Sequence, residues 1–288
     1  MIGIVLAGGN GTRLYPLTSS ISKHLLAIYD KPLIYYPISI LMMAKIKKIL
    51  IVCKSEQLDL YQRLLGDGSS LGVEFKYIIQ DNPKGIGHAL KLCAEYIKGR
   101  RVLLALGDNI FHGQGLVDIL QKAAHFSKKR AVLFSYNVQT PKDFGIITKS
   151  ENGDWQQIEE KPKSPKSNQA ITGLYFYPPE VLGKLDMLCP SDRGEIEITD
   201  LNNLFIKEDK VEVFQLGRGF AWFDAGTPGA MVKASVYMQT LAELQNTKVA
   251  CLEEISFQNK WISISKLSNI IKSLPNSEYQ NYLRTINK

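Results

Sequence analysis

The 288 residues carry 45% hydrophobic and 22% charged side chains, which suits a globular protein with a sizeable core and excludes a disordered or fibrous chain. The net charge of +7 is spread over short clusters such as Lys45, Lys47 and Lys48; these read as solvated faces or as attraction for small anionic substrates, so nucleic acid is not an expected partner. With no apolar run of eighteen residues and no basic-then-apolar start, neither a membrane span nor a signal peptide is expected and a cytoplasmic location is; Cys53, Cys93, Cys189 and Cys251 form no C-x-x-C pair and are expected to be reduced, mostly buried thiols.

In chain order, the first buried strand is expected at 2–7, and it runs into Gly8, Gly9 and Gly11, then Thr12 and Arg13. Glycines lacking Cβ let backbone N–H groups approach an anion, and a guanidinium grips phosphate oxygens in pairs. The loop therefore suits a phosphate, although taken alone it also suits a plain tight turn. It is neither a Walker A loop, since no G-K-[ST] follows, nor a dinucleotide fingerprint, since Leu14 stands where the third glycine belongs. Further buried strands at 49–53, 75–79, 102–106 and 131–136 alternate with helical patterns at 33–44, at Ile86, Leu90, Cys93 and Ile97, and at Leu116, Leu120 and Ala123. This alternation implies an α/β fold with a Rossmann-like, doubly wound, mostly parallel sheet, whose ligands lie beyond the carboxyl ends of the strands. The second half is less regular. Strands are expected at 145–148, 155–159, 170–177, 211–216 and 220–223, with 161–167 as the most loop-like stretch. A long helix is expected over 227–245, where Met231, Ala234, Met238 and Leu241 share a face.

The glycine loop continues through Leu14-Tyr15-Pro16-Leu17-Thr18, then Ser22-Lys23-His24-Leu25-Leu26 and Tyr29-Asp30-Lys31-Pro32. Downstream stand Leu106-Gly107-Asp108-Asn109, Glu159-Glu160-Lys161-Pro162, Thr172-Gly173-Leu174-Tyr175-Phe176-Tyr177, Arg193-Gly194-Glu195-Ile196-Glu197-Ile198-Thr199-Asp200 and Trp222-Phe223-Asp224-Ala225-Gly226-Thr227. In this order they resemble the signature of the sugar-phosphate nucleotidyltransferases, most closely the glucose-1-phosphate thymidylyltransferase branch, across nearly the whole chain. The resemblance implies a nucleotidyltransferase domain over 1–247, with a nucleotide-binding half at about 1–140 and an inserted sugar-binding half at 141–226, followed by a C-terminal helical extension at 248–288. It implies the reaction of dTTP with α-D-glucose 1-phosphate to give dTDP-glucose and pyrophosphate, feeding dTDP-deoxysugar synthesis of the rhamnose type, with Mg²⁺ as cofactor. The same chemistry with UTP or a modified hexose 1-phosphate is the alternative within the class. A catalytically silent nucleotide-sugar sensor is the alternative outside it, disfavoured because Arg13, Lys23, Asp108, Lys161 and Asp224 are all present.

Such a transfer needs no protein nucleophile, because the attacking phosphate oxygen is already an anion; positioning and charge neutralisation suffice. By resemblance, Asp108 and Asp224 bind the metal, and a hard cation wants such oxygens, although either aspartate alone also reads as a turn residue. Leu6, Gly8, Gly9, Gly11, Thr12, Arg13, Gln80, Gly85 and Asp108 match nucleotide contacts, with Arg13 and Lys23 on the triphosphate. An amide such as that of Gln80 donates and accepts at once, as a thymine or uracil edge requires. Gly145, Glu160, Lys161, Ile171, Tyr175 and Arg193 match the sugar phosphate site. Departures from the pattern are His24 for Gln, Ala27 for Pro, Gly87-His88 for Ala-Gln and Phe144 for Tyr. The family also forms homotetramers with a regulatory nucleotide site, which Gly113, Arg218, Gly219, Cys251, Glu254 and Ile255 resemble in part; Leu252 replaces a usual Pro and the loop at 110–114 differs.

Overall fold

Strand β1 (Ile2–Leu6) is buried on both of its faces, which is why its sequence shows no alternation of apolar and polar residues. The computed structural model describes residues 1–286; the last two residues of the expected C-terminal extension, Asn287 and Lys288, lie outside the described residues. After β1 come the hairpin β2 (Ala27–Ile28) and β3 (Lys31–Pro32), then α1 (Tyr35–Met43), β4 (Lys48–Cys53), α2 (Leu58–Leu65), β5 (Glu74–Ile79), α3 (Ile86–Leu92), α4 (Ala94–Ile97), β6 (Val102–Leu106), β7 (Asn109–Gly113), α5 (Leu116–Phe126) and β8 (Ala131–Asn137). The second half holds β9 (Gly145–Lys149), β10 (Trp155–Glu160), β11 (Gln169–Tyr177), α6 (Val181–Asp186), α7 (Ile198–Lys207), β12 (Val211–Leu216), β13 (Phe220–Asp224) and α8 (Pro228–Gln245). Three further helices follow, α9 (Leu252–Gln258), α10 (Ile264–Ser273) and α11 (Glu278–Ile286).

The main sheet runs β10-β9-β11-β6-β1-β4-β5, with β8 on β11 and β12 on β8. The half β5-β4-β1-β6 is parallel, and β11 joins β6 antiparallel. Val5, Ile49, Ile51, Leu103 and Ala105 face one core with α1, while Ile4, Leu50, Val52, Val102 and Leu104 face the other with α3 and α7. The absence of a side chain at Gly3 matters here, because its Cβ would collide with Leu41 and hold α1 off the sheet. Helix α8 starts as expected, with Thr227 accepting a hydrogen bond from the Ala230 N–H and Pro228 in the first turn. Met231, Ala234 and Met238 are buried and Leu241 is partly so.

Several elements differ from expectation. The stretch 110–114, read as a loop, lies almost entirely in β7, which pairs antiparallel with β13. Its partner is far away in sequence, so no local pattern announces it. The single helical pattern through Ile97 breaks at Cys93 into α3 and α4. Helices α6 and α7 were not expected, and the second supplies part of the site. Cys53, Cys93 and Cys251 are buried free thiols and Cys189 is an exposed one. Among the described residues no helix is long and apolar enough to cross a membrane.

Candidate active site

The carboxyl ends of β1, β5 and β6 open on one cavity of about 320 Å³, closed on the far side by the end of β10 and the segment leading into α7. Of the residues singled out by sequence, Leu6, Gly8, Gly9, Lys23, Gln80, Gly85, Asp108, Glu160, Lys161 and Arg193 line it. Gly9 lies against the Lys23 side chain: a Cβ there would be 3.8 Å from Nζ. Gly11 has a left-handed φ of +62° that starts the short turn Thr12–Leu14, and its carbonyl accepts from Thr18 Oγ1 at 2.9 Å. Gly11 and Thr12 stand outside the cavity wall, and so does Arg13, whose guanidinium reaches Gly226 beside Asp224.

Asp108 and Asp224 are brought together by β7 and β13, whose register pairs Asp224 with Asn109, and the Ala225 N–H donates to the Asp108 carbonyl at 2.8 Å. Burial raises the Asp224 carboxyl, and the Asp108 charge raises it further, to about 6, although Arg13 and Lys23 oppose the shift. At Asp108 burial also pushes upward, but the Lys23 ammonium, which forms an ion pair with it, together with His24 and the Asn109 amide holds the carboxyl low. Asn109 orients Asp108. Its amide donates to Asp108 Oδ1 at 2.9 Å, while its carbonyl accepts from Trp222 Nε1 at 2.7 Å and the Gly173 N–H at 2.9 Å.

His24 is buried in the wall of the cavity. The Tyr61 hydroxyl donates to Ser22 Oγ at 2.8 Å, and Ser22 Oγ lies 2.9 Å from His24 Nδ1, so the hydroxyl chain leaves Nε2 as the protonated nitrogen. Burial, aided by Lys23, lowers this imidazole to about 3 and keeps it neutral. Gly107 has to be a glycine because a Cβ would collide with the Leu6 carbonyl and the His24 ring.

On the opposite side, Glu160 accepts from Thr199 Oγ1 at 2.9 Å, and a Cβ on Gly145 would approach Glu160 Oε2 to 3.1 Å. Lys161 Nζ is 3.9 Å from Glu160. Arg193 is held by Glu197 through Nη2 at 2.9 Å and Nε at 3.2 Å. Ile171 and Tyr175 are buried in β11 and do not line the cavity. Burial pushes the Tyr175 phenol well up, as do the charges of Glu160 and Asp108 that it faces. The ring of Phe144 packs on Trp222 with centroids 5.2 Å apart. Asn109, Thr199 and Glu197 were not singled out by sequence. All three sit inside segments that carried the resemblance, but nothing local distinguishes them from surface polar residues.

Gly113, Cys251, Glu254 and Ile255 line a second cavity of about 420 Å³ between β7 and α9. Arg218 and Gly219 lie in the β12–β13 turn and are not part of its wall.

A family model described as nucleotidyl transferase matches residues 2–240. A glucose-1-phosphate thymidylyltransferase of Neisseria meningitidis is 45% identical over 283 residues, covering 98% of each chain. A crystal structure from Bacillus anthracis, assigned to the same activity and holding sucrose, superposes with a TM-score of 0.75 at 36% identity, over 82% of this chain and 95% of that one. A UDP-glucose pyrophosphorylase bound to UDP-glucose shares the fold, with a TM-score of 0.71 at 24% identity over 83% of this chain and 98% of that one. The buried ion pair, the glycine loop and the paired aspartates are thus set in a chain that belongs to the nucleotidyl transferase family, within its glucose-1-phosphate thymidylyltransferase branch.

Proposed function

We propose that this chain transfers a thymidylyl group from dTTP to α-D-glucose 1-phosphate, releasing pyrophosphate and dTDP-glucose. The observation that carries the reading is the convergence of Lys23, Gln80, Asp108, Glu160, Lys161 and Arg193, drawn from distant parts of the sequence, on one cavity. A phosphate oxygen of the sugar phosphate forms a bond to the α-phosphorus of dTTP as the α–β anhydride bond breaks, and pyrophosphate departs with the electron pair. No proton needs to move. Arg13 and Lys23 neutralise the triphosphate and the leaving pyrophosphate, Lys161 and Arg193 hold the attacking phosphate, and Glu160 and Gly145 take the hexose hydroxyls.

Asp108 and Asp224 would hold Mg²⁺. The Asp108 charge helps hold the Asp224 carboxyl up, and a divalent cation between the two relieves that repulsion. The ion would take its other oxygens from phosphates and water. When bound, the ion supplies screening of the phosphate charge. Gln80 does not separate thymine from uracil, so UTP is the alternative nucleotide. In keeping with the branch, the product would feed dTDP-deoxysugar synthesis of the rhamnose type in the cytoplasm, from a homotetramer regulated through the cavity at Gly113 and Glu254.

Purified protein with Mg²⁺, a nucleoside triphosphate panel and several sugar 1-phosphates tests the reading through pyrophosphate release. We expect dTTP with glucose 1-phosphate to give the highest kcat/KM, and Asp108→Asn to lower it by about 10²-fold or more. Silence with every pair would refute the transferase reading; an unimpaired Asp108→Asn enzyme would remove Asp108 from the metal site.

A further inference from the structure

The position of His88 has a consequence for which base the cavity accepts. Gln80 follows the last residue of β5 and is 6% exposed, lining the cavity with its amide. Its Nε2 lies 3.0 Å from Nδ1 of His88, on the first turn of α3. Its Oε1 lies beside the phosphate loop, 3.4 Å from where a Cβ of Gly8 would stand. The turn that carries His88 is itself firmly seated. The Gly87 N–H donates to the Ile196 carbonyl at 3.0 Å, and a Cβ on Gly87 would collide with the Ile196 side chain.

An amide has two faces that differ only by exchange of donor and acceptor, and in water it samples both. Here the donor end is committed. With Nε2 donating to Nδ1, the imidazole carries its proton on its own Nε2, and burial together with Lys84 and Lys91 disfavours a second proton. What remains for a ligand is one N–H and the carbonyl oxygen, in fixed left-to-right order. Thymine or uracil presents a carbonyl oxygen beside an N3–H and fits that order. Cytosine presents an amino group beside a bare N3 and fits only the flipped amide, which would set Gln80 Oε1 against the lone pair of His88 Nδ1.

We propose that His88 is a positioning residue that locks the Gln80 amide and thereby makes the cavity select thymine or uracil over cytosine. The inference rests on the nucleotidyl-transfer reading. It assigns His88 no contact with substrate, and its effect is a difference between bases, which a purely structural role would not produce.

The test is steady-state turnover of the full chain with dTTP and with dCTP, for wild type, His88→Leu and His88→Asn, at saturating glucose 1-phosphate. His88→Leu removes the acceptor, whereas His88→Asn can return a carbonyl oxygen to the place of Nδ1. In His88→Leu the ratio of kcat/KM for dTTP over dCTP should fall about tenfold, through a higher KM for dTTP and a lower KM for dCTP with kcat little changed. His88→Asn should restore most of the ratio. Three results would overturn the proposal: an unchanged ratio in His88→Leu, an equal loss with both nucleotides, or failure of His88→Asn to recover selectivity. If the wild type turns over no nucleotide at all, the transferase reading fails first and the proposal with it, which separates that failure from the others.

Discussion

Asp224 is the residue whose environment conflicts most with its charge. Its carboxyl titrates near 6, above the ordinary 3.8, because it is buried and faces Asp108. The native state therefore retains a proton that the unfolded chain has already lost, so stability declines as pH rises from about 4 to about 6 and stays reduced above that. Asp224→Asn removes the charge. In chelator at pH 7.5 it should stabilise the protein by about 1–3 kcal/mol while abolishing most turnover, and below pH about 3.5 the two proteins should unfold alike. Urea unfolding at the two pH values measures this; an equally stable or weaker variant at pH 7.5 would show that Asp224 is not strained by its neighbour. At this scale the sequence already marked Lys23, Asp108 and Glu160, because their segments carry the resemblance. It did not mark Asn109, whose hydrogen bonds from the Gly173 N–H and Trp222 Nε1 join β7 to β11 and β13 and exist only once those strands have met.

Among the elements, the parallel strands were legible because a strand covered on both faces needs an unbroken apolar run, and β1, β4 and β6 have one. β7 was not, since Asn109-Ile110-Phe111-His112-Gly113 becomes a strand only by pairing with β13. The docking of the C-terminal helices is likewise non-local. Gly72, at φ +69° before β5, faces Trp261 so closely that a Cβ would lie 2.7 Å from the Trp261 carbonyl oxygen, and Lys47 Nζ sits 5.2 Å over that indole. Ser256, on α9, donates to the Leu71 carbonyl, and Asn259 donates to the Met42 carbonyl at 2.9 Å. Gly72→Ala should cost about 1–3 kcal/mol and loosen this contact first. Hydrogen exchange should then rise in α9 and α10 while β1 and β4 remain protected; uniform exchange across both regions would count against a local seat at Gly72.

For the whole molecule, the proposed homotetramer predicts a solution mass four times that of the 32.3 kDa chain. Light scattering at micromolar concentration checks it, and a monomer mass would reject the assembly together with any regulation that depends on subunit contacts. Half-exposed or exposed apolar side chains on α8, Val232 at 62% and Val236 at 56%, are available to such a contact. The sequence by itself determined the alternating α/β plan, the glycine-rich loop after β1 and the family, because these are written in local apolar runs, glycines and ordered motifs. The tertiary structure decided which residues share a cavity. Only folding sets Lys23 against Asp108, Asp224 beside both, and His88 behind Gln80, since charge pairing, desolvation and amide orientation depend on distances between segments far apart in the chain.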